Sequence, residues 1–437
     1  NTGKPLVVWD SPPPLSAQHD FAHCQRMEAE AGTPESPSRK GAPQKGENMT
    51  YNKLELPKAG DRVVVGMSGG VDSTMTALLL KEKGCLVTGV TMSLWDGDSL
   101  SLSRAALMNT SCYSPLEKNN MDECADFCAE HDIQYFTVDV KEAYKKEVIE
   151  YFKNEYRNAR TPNPCVRCNQ FVKFGALLES VKNLGVEFDY FCTGHYARTV
   201  RAADGVWGSD KTPVMIACAS DVTKDQAYFL YRIQSETLEK VRFPLGLTAK
   251  KDVFAMAKER GLVAAEREES QDFIPPEYFE YLFSDKPGTP GDIIDLDGHV
   301  LGHHKGIEHY TIGQRRGLGV SSTNPLYVHS IDAKKNLVVL ADNDDLLCSG
   351  LIFDDCAWPT NVAPKEPFDA HVKIRLASRP VACRVEPYTP AVGESFTGAA
   401  YKVTFAEQQR AVAPGQSAVL FSDGIIIGGG IIHTALA

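Results

Sequence analysis

Arg62-Val63-Val64-Val65-Gly66-Met67-Ser68-Gly69-Gly70-Val71-Asp72-Ser73 is the stretch that decides the fold. Three consecutive valines read as a strand of the buried type. The glycine-rich turn after them lets backbone N–H groups approach a ligand closely. The helix expected over 73–84, with Met75, Leu78, Leu79 and Leu80 as its apolar positions, aims its positive N-terminus at the same point. Both features favour a phosphate, and Ser68 and Ser73 add hydroxyl donors. Asp72 is an unusual neighbour for a phosphate unless a divalent cation lies between them. No Gly-Lys-Ser/Thr follows at the spacing of a Walker A loop.

Outward from this turn, residues 61–235 alternate short apolar strands with amphipathic helices. Strands are expected at 62–66, 86–92, 134–138 and 188–193, and helices at 73–84, 121–131, 141–156 and 170–184. Right-handed crossovers between them predict an α/β domain with a doubly wound parallel sheet, its ligand at the carboxyl ends of the strands. Residues 236–295 read as a small, mainly helical central domain, with a helix over 249–260 followed by several prolines. From 296 to 437 short strands alternate with turns, at 299–301, 326–331, 336–341, 370–375, 381–386, 400–405 and 417–421. That pattern predicts a C-terminal antiparallel β-barrel region. Gly428, Gly429 and Gly430 mark a bulge or tight bend in a late strand. Residues 1–60 form an N-terminal segment expected to be disordered or non-native. Its first 48 residues are rich in Pro, Ser, Gly and charge, and Met49 is the expected native start.

With 437 residues the chain has room for two or three domains. A hydrophobic content of 43% and a charged content of 24% are ordinary for a globular protein. No apolar run is long enough for a membrane span. A net charge of −11 argues weakly against a nucleic-acid partner and leaves room for a local basic patch. Twelve cysteines spread through such a core fit free, catalytic or metal-bound thiols better than a disulfide scaffold. No basic-then-apolar signal peptide opens the given sequence; the expected location is cytoplasmic, with an organelle as the alternative.

Thr161-Pro162-Asn163-Pro164-Cys165-Val166-Arg167-Cys168-Asn169 is the second informative stretch. Its prolines are expected to hold the chain extended and to present two thiols three residues apart. Arg160 and Arg167 are expected to lower the thiol pKa values. Such a pair serves as a redox couple, as half of a structural zinc site, or as catalytic and cluster-bound thiols. Zinc needs two more ligands, which Cys124 and Cys128, one helical turn apart, can supply. An inert pair is the plainest alternative. The Thr193-Gly194-His195 turn ends a strand of the same sheet and is expected at the nucleotide face. Lys224-Asp225-Gln226-Ala227-Tyr228-Phe229-Leu230 reads by itself as a helix start or a solvated face. Tyr310-Thr311-Ile312-Gly313-Gln314-Arg315-Arg316-Gly317-Leu318 sets a basic pair among glycines, which suits phosphate contact.

The strand, the Ser68–Ser73 turn and the helix resemble the pyrophosphate-binding loop of the ATP pyrophosphatases, which cleave ATP between the α and β phosphates and place AMP on a substrate oxygen. The further motifs follow in the same order, down to Ala413-Pro414-Gly415-Gln416-Ser417. On them residues 61–437 resemble the tRNA-specific 2-thiouridylases, which thiolate the wobble uridine of tRNA. The resemblance implies a nucleotide-binding α/β domain, a small central domain and a C-terminal β-barrel region. It implies ATP and Mg2+ as cofactors, with Gly66, Met67, Ser68, Gly69, Gly70, Val71, Asp72, Ser73, Met92 and Gly194 contacting ATP. Asn163, Pro164 and Cys165 would lie against the target base, and His195, Lys224, Asp225, Gln226, Arg375 and Gln416 would touch tRNA. Cys168 matches the nucleophilic cysteine. The implied partners are tRNA and a sulfur donor, which could be a sulfur-carrier protein, a cysteine desulfurase or free sulfide. The rivals are a ligase of the same fold acting on a small metabolite, and a zinc-stabilised RNA-binding protein.

Two departures matter. Many members of that family carry Asp where this chain has Cys165, and a second, persulfide-bearing cysteine after a central Glu-Ser. Here the central stretch reads Glu269-Ser270-Gln271-Asp272-Phe273-Ile274, and no cysteine lies between Cys218 and Cys348. Two solutions are open. Cys165 and Cys168 bind a [4Fe–4S] cluster, with Asp272 or Cys192 as third ligand and an open iron for sulfide. Alternatively, Cys165 carries the persulfide and Cys168 resolves it.

Overall fold

The computed structural model describes residues 51–96, 112–204, 206–207, 209, 211–266, 273–274 and 276–437. Most of the N-terminal segment expected to lack structure lies outside them, as does Asp272. Tyr51–Lys53, however, is a strand paired antiparallel with Ala197–Ala202, so regular structure begins before residue 61.

Five strands form a wholly parallel sheet in the order Gln134–Asp139, Leu86–Ser93, Arg62–Gly66, Tyr190–Thr193, Val241–Arg242. Four of them stand where the sequence places them. The fifth is two residues long, too short to carry a hydrophobic period. Direction across the sheet reverses at Arg62–Gly66, so the loops after Gly66 and Thr193 open side by side at the crevice where such sheets bind ligands. The valine run lacks polar alternation because both faces are covered. Helices Val71–Glu82 and Glu117–Glu130 pack Ala77, Leu80, Cys124 and Cys128 against Val63, Val65 and Cys192. On the other face the helical stretches 141–157 and 164–183 bring Tyr144, Phe152, Val172 and Leu177 against Val64, Val90 and Phe191. Full burial of each large apolar side chain contributes roughly 1.5–3 kcal/mol.

The cysteine-bearing stretch is helical and not extended. Pro164 takes the first helical position, and Asn163 caps it by accepting the Val166 N–H at 3.4 Å. The helix continues through a π-type stretch, Cys168–Ala176, to Asn183. Wide turns of this kind gather at functional sites.

Six antiparallel strands close a barrel in the order Leu347–Ala357, Ala400–Arg410, Val381–Tyr388, Phe368–Lys373, Ser417–Ser422, Ile425–Leu436 and back to the first. Gly428, at φ 147°, packs against Trp358 beside a slip in pairing between Leu420 and Phe421, the bulge that the glycine triplet announces. Val214–Cys218 and Ala197–Ala202 extend this sheet outward to Tyr51–Lys53. A separate four-stranded sheet, with its own core of Ile293, Val328, Val338 and Leu340, precedes the barrel. Its central pair, Gly291–Ile294 with Leu337–Ala341, is parallel, whereas the sequence pattern suggests only antiparallel pairing.

Candidate active site

Gly66 to Ser73 form a tight turn at the sheet's carboxyl edge. Gly69 is left-handed at φ 76°, and extended Gly70 caps the helix without a side chain, so the helix starts at Val71, two residues before the expected point. The Ser73 hydroxyl accepts the Ser68 N–H at 3.1 Å and donates to the Gly70 carbonyl at 3.0 Å. These bonds hold the turn open toward the crevice. Met67 contributes backbone only, since its side chain is buried with its sulfur 3.5 Å from the Cys128 thiol. Met92 lies near the carboxyl end of the adjacent strand, Leu86–Ser93. Gly194 presses on the turn from the neighbouring strand. A Cβ there would stand 2.7 Å from the Asp72 carbonyl carbon and 2.8 Å from the Ser73 nitrogen.

Asp72 has partners that its sequence context does not reveal. Its carboxylate accepts the Lys250 ammonium at 2.7 and 2.9 Å and the Tyr196 hydroxyl at 2.8 Å. As it stands, Asp72 is therefore not a free Mg2+ ligand. Lys250 reaches it from the helix Lys250–Glu259, 178 residues downstream.

Cys165 and Cys168 are half-buried on the first two turns of their helix. Arg160 and Arg167 do not activate them. Arg160 pairs with Glu155 at 2.8 Å, and Arg167 pairs with Glu147 at 3.0 Å while lying over the rings of Tyr151 and Phe171. Burial instead pushes the Cys165 thiol up to about 12 and Cys168 to about 11. The cation beside both is Lys173, whose influence opposes that of burial. Lys173 also faces His195, which burial first, and Lys173 second, hold well below the usual histidine range, so the ring is neutral. His195 Nδ1 lies 2.8 Å from the Thr193 hydroxyl. Phe174, on the thiol-bearing helix, meets the His195 ring with centroids 6.1 Å apart, so that helix lies against the turn after Thr193. A third thiol, Cys112, lies within the electrostatic reach of both.

The remaining residues brace this helix. Asn163 is buried and spends its side chain on the cap. Gln416, from the barrel, donates to the Pro162 carbonyl at 2.9 Å, and Gly415, at φ 91°, lies against Thr161 where a Cβ would meet its oxygen at 2.7 Å. Asp225 accepts the Ala219 N–H and Gln226 the Tyr196 N–H, so both shape their loop, and burial raises the Asp225 pKa. Lys224 is exposed. Arg375 is half-buried and donates to the Arg410 and Ala411 carbonyls. Cys192 lies in the core on the opposite face of the sheet, with Cys124 and Cys128, because alternate residues of one strand point to opposite sides. That face excludes it as a third ligand beside Cys165, and it excludes a four-cysteine zinc site.

Three family models match the chain in sequence order: a tRNA methyl transferase HUP domain at 61–275, a tRNA methyl transferase PRC-barrel domain at 280–342, and an aminomethyltransferase beta-barrel domain at 348–432. The tRNA-specific 2-thiouridylase MnmA of Endomicrobium trichonymphae is 41% identical over 85% of this chain and 98% of its own length. The protein of the same name from Geobacter metallireducens is 38% identical over 87% and 98%. The chain belongs to the tRNA-specific 2-thiouridylase family. Among solved structures, the U34-tRNA thiolase NcsA from Methanococcus maripaludis with its [4Fe-4S] cluster aligns at 18% identity and a TM-score of 0.31, over 52% of this chain and 64% of that one. A 4-thiouridine synthetase–RNA complex with bound ATP aligns at 14% identity and a TM-score of 0.27, over 51% and 50%.

Against the thiouridylase motifs, the residues that sequence reading passed over are Lys250, Tyr196, Lys173 and Cys112. Tyr196 and Lys173 lie one and five residues beyond motif positions, His195 and Cys168, and a helical or strand projection from those positions would have reached them. Lys250 and Cys112 carry no local signal.

Proposed function

We propose that the protein is a tRNA-uridine 2-sulfurtransferase that thiolates the wobble uridine of tRNA at the expense of ATP. The observation that supports this best is the meeting of a pyrophosphate-type turn with a Cys-x-x-Cys helix: Phe174 of that helix lies against His195, ring centres 6.1 Å apart, and the adjacent Gly194 is pressed on Asp72 and Ser73 of the turn. Backbone N–H groups of the 68–71 turn and the N-terminus of Val71–Glu82 hold the phosphates. Gly194 leaves the space that lets this turn sit under them. The uridine C2 oxygen attacks the α phosphorus and pyrophosphate leaves, which makes AMP the leaving group at C2. Sulfur at the Cys165/Cys168 site then attacks C2 and AMP departs. His195, held by the Thr193 hydroxyl and packed on Phe174 of the thiol-bearing helix, would present its neutral ring to the substrate between the turn and the thiols. Oriented donors of this kind stabilise developing phosphate charge. The half-buried thiol pair fits a [4Fe–4S] cluster, and iron held by Cys165 and Cys168 would supply an open position for sulfide. tRNA is the partner, with a sulfur-carrier protein, a cysteine desulfurase or free sulfide as donor. Thiol chemistry of this kind suits a reducing, cytoplasmic compartment. No helix among the described residues is long and apolar enough to cross a membrane.

Anaerobically purified protein given ATP, sulfide and unmodified tRNA should form 2-thiouridine at the wobble position, with one AMP and one pyrophosphate per sulfur inserted. ATP–pyrophosphate exchange that needs no RNA would overturn this in favour of a small-metabolite ligase. Gln416→Ala removes the bond to Pro162 and with it about 1 kcal/mol of bracing. Thiolation kcat/KM should fall roughly fivefold with ATP affinity unchanged. An equal loss of ATP affinity would place Gln416 on the nucleotide side instead.

A further inference from the structure

Lys250 and Asp72 form an ion pair at the first turn of the helix Val71–Glu82. Both carboxylate oxygens of Asp72 accept the ammonium, at 2.9 and 2.7 Å. The lysine is fixed at both ends. Its backbone N–H donates to the Asp221 carboxylate at 2.9 Å, and it opens the helix Lys250–Glu259. Val253 and Ala257 of that helix pack with Val71, Met75 and Leu78 of Val71–Glu82. The ammonium lies 5.5 Å from the centre of the Tyr196 ring and 4.9 Å from that of Phe254. Tyr196 is itself buried, and its hydroxyl donates to Asp72 at 2.8 Å. The Lys250 side chain is 9% exposed and that of Asp72 29%, so the carboxylate is the more open end of the pair.

Stability alone is a poor reason for such a pair. The cost of taking two charges out of water offsets most of their attraction, and well-packed apolar side chains often serve as well. Its place is more telling. Asp72 is the second residue of a helix whose N-terminus opens on the crevice, and a lone carboxylate there would repel the phosphates of a nucleotide. Paired with Lys250, it carries no net charge.

We infer that Lys250 is a ligand of the β and γ phosphates of ATP, held on Asp72 until Mg2+ takes the carboxylate. The inference rests on the reading of the 68–73 turn as an ATP site. A carboxylate is a donor that Mg2+ accepts, so Asp72 fits the ion once the ammonium has left it. Lys250 then exchanges carboxylate oxygens for phosphate oxygens, and as a point charge its ammonium suits both. The side of the turn selects β and γ over α. A uridine has to meet the α phosphorus on the side of the thiol-bearing helix, which packs on the turn after Thr193 through Phe174 and His195. Tyr196, the next residue, turns into a different cluster with Val71 and Val253, and Lys250 arrives from there. The phosphates beyond α therefore fall to Lys250. When the bond from the α phosphorus to the bridging oxygen breaks, its electron pair leaves on pyrophosphate, and the ammonium offsets that charge. No proton moves in this step and no oxidation state changes.

The test is calorimetric titration of the full chain with ATP and with AMP, with and without Mg2+, and needs no tRNA. Lys250→Met should weaken ATP binding in Mg2+ about 10- to 150-fold, the scale of a lost bond to a charged group, and AMP binding less than about threefold. Asp72→Asn keeps the lysine and releases it. Without Mg2+, ATP should bind this variant about 3- to 10-fold more tightly than wild type, because a like charge is gone, and Mg2+ should then add little. The double variant separates a phosphate ligand from a mere neutraliser of Asp72. With Lys250→Met and Asp72→Asn combined, a neutraliser would give back wild-type ATP affinity, whereas a ligand leaves a loss of at least about tenfold. Restored affinity in the double variant, equal losses of ATP and AMP in Lys250→Met, or weaker Mg2+-free ATP binding by Asp72→Asn would each overturn the inference and leave the ATP site standing. Wild type that binds no ATP would overturn the reading of the turn, and this ligand with it.

Discussion

Cys168→Ser is expected to abolish thiolation while leaving nucleotide binding intact. The substitution keeps the shape of the side chain, and Cys168 packs only partly against the core around Tyr144 and Val172, so the fold should lose little. Chemically the change is severe, because a serine hydroxyl neither carries transferable sulfur nor suits iron as thiolate does. Thiolation should fall by at least about a thousandfold, the scale seen when a group that acts only in the reaction is removed. The dissociation constant for ATP should stay within about twofold, since the turn proposed to bind phosphate follows the strand Arg62–Gly66, apart from the thiol-bearing helix, and makes none of its hydrogen bonds through Cys168. Turnover of unmodified tRNA by mass spectrometry, beside equilibrium binding of ATP, separates the two effects. Thiolation within tenfold of wild type would remove Cys168 from the reaction.

Gly194→Ala should produce the opposite pattern. Its new methyl would lie 2.7 Å from the Asp72 carbonyl carbon, 2.8 Å from the Ser73 nitrogen and 2.9 Å from the Asp72 Cβ. The first two are backbone atoms of the phosphate-binding turn and its helix, so no side chain can rotate out of the way. Overpacking of this kind costs about 1–3 kcal/mol. The atoms displaced belong to the turn and helix start proposed to hold the phosphates, so weaker nucleotide binding should absorb most of that cost, about 5- to 100-fold. The thiol helix should still load iron to the wild-type level. Calorimetric titration with ATP checks the first outcome and iron content the second. Unchanged ATP affinity would show that the turn has room the geometry does not reveal.

The parallel sheet was legible because burial on both faces removes polar residues from its strands, and Val63 to Val65 record that in three letters. The phosphate turn was legible because it is local: glycines, hydroxyls and a helix start within eight residues. The thiol site was legible in part. Cys165 and Cys168 share a motif, but the helix that carries them was read as extended, since two prolines in four residues hide an Asn163 cap with Pro164 at the first helical position. The expectation that Arg160 and Arg167 would lower the thiol pKa values failed for a related reason. Closeness in sequence did not become closeness in space, because both guanidinium groups turn to glutamates on the preceding helical stretch. Lys250 reaches the site through tertiary folding alone. Nothing in the periodicity around Lys250 indicates that it will meet a carboxylate 178 residues earlier in the chain.

The seat that the barrel offers to the Thr161–Pro162 turn bears on how the enzyme comes into being. Gln416 and Gly415, which hold that turn, follow it by about 250 residues, and their loop is fixed only when Ile425–Leu436 closes the barrel. A ribosome exposes the nucleotide-binding sheet and both motif thiols long before that closure. During synthesis the chain therefore has its phosphate turn before it has a braced sulfur site. A chain cut short of Gly415 would keep the turn and both motif thiols and lack the contacts that seat Thr161 and Pro162.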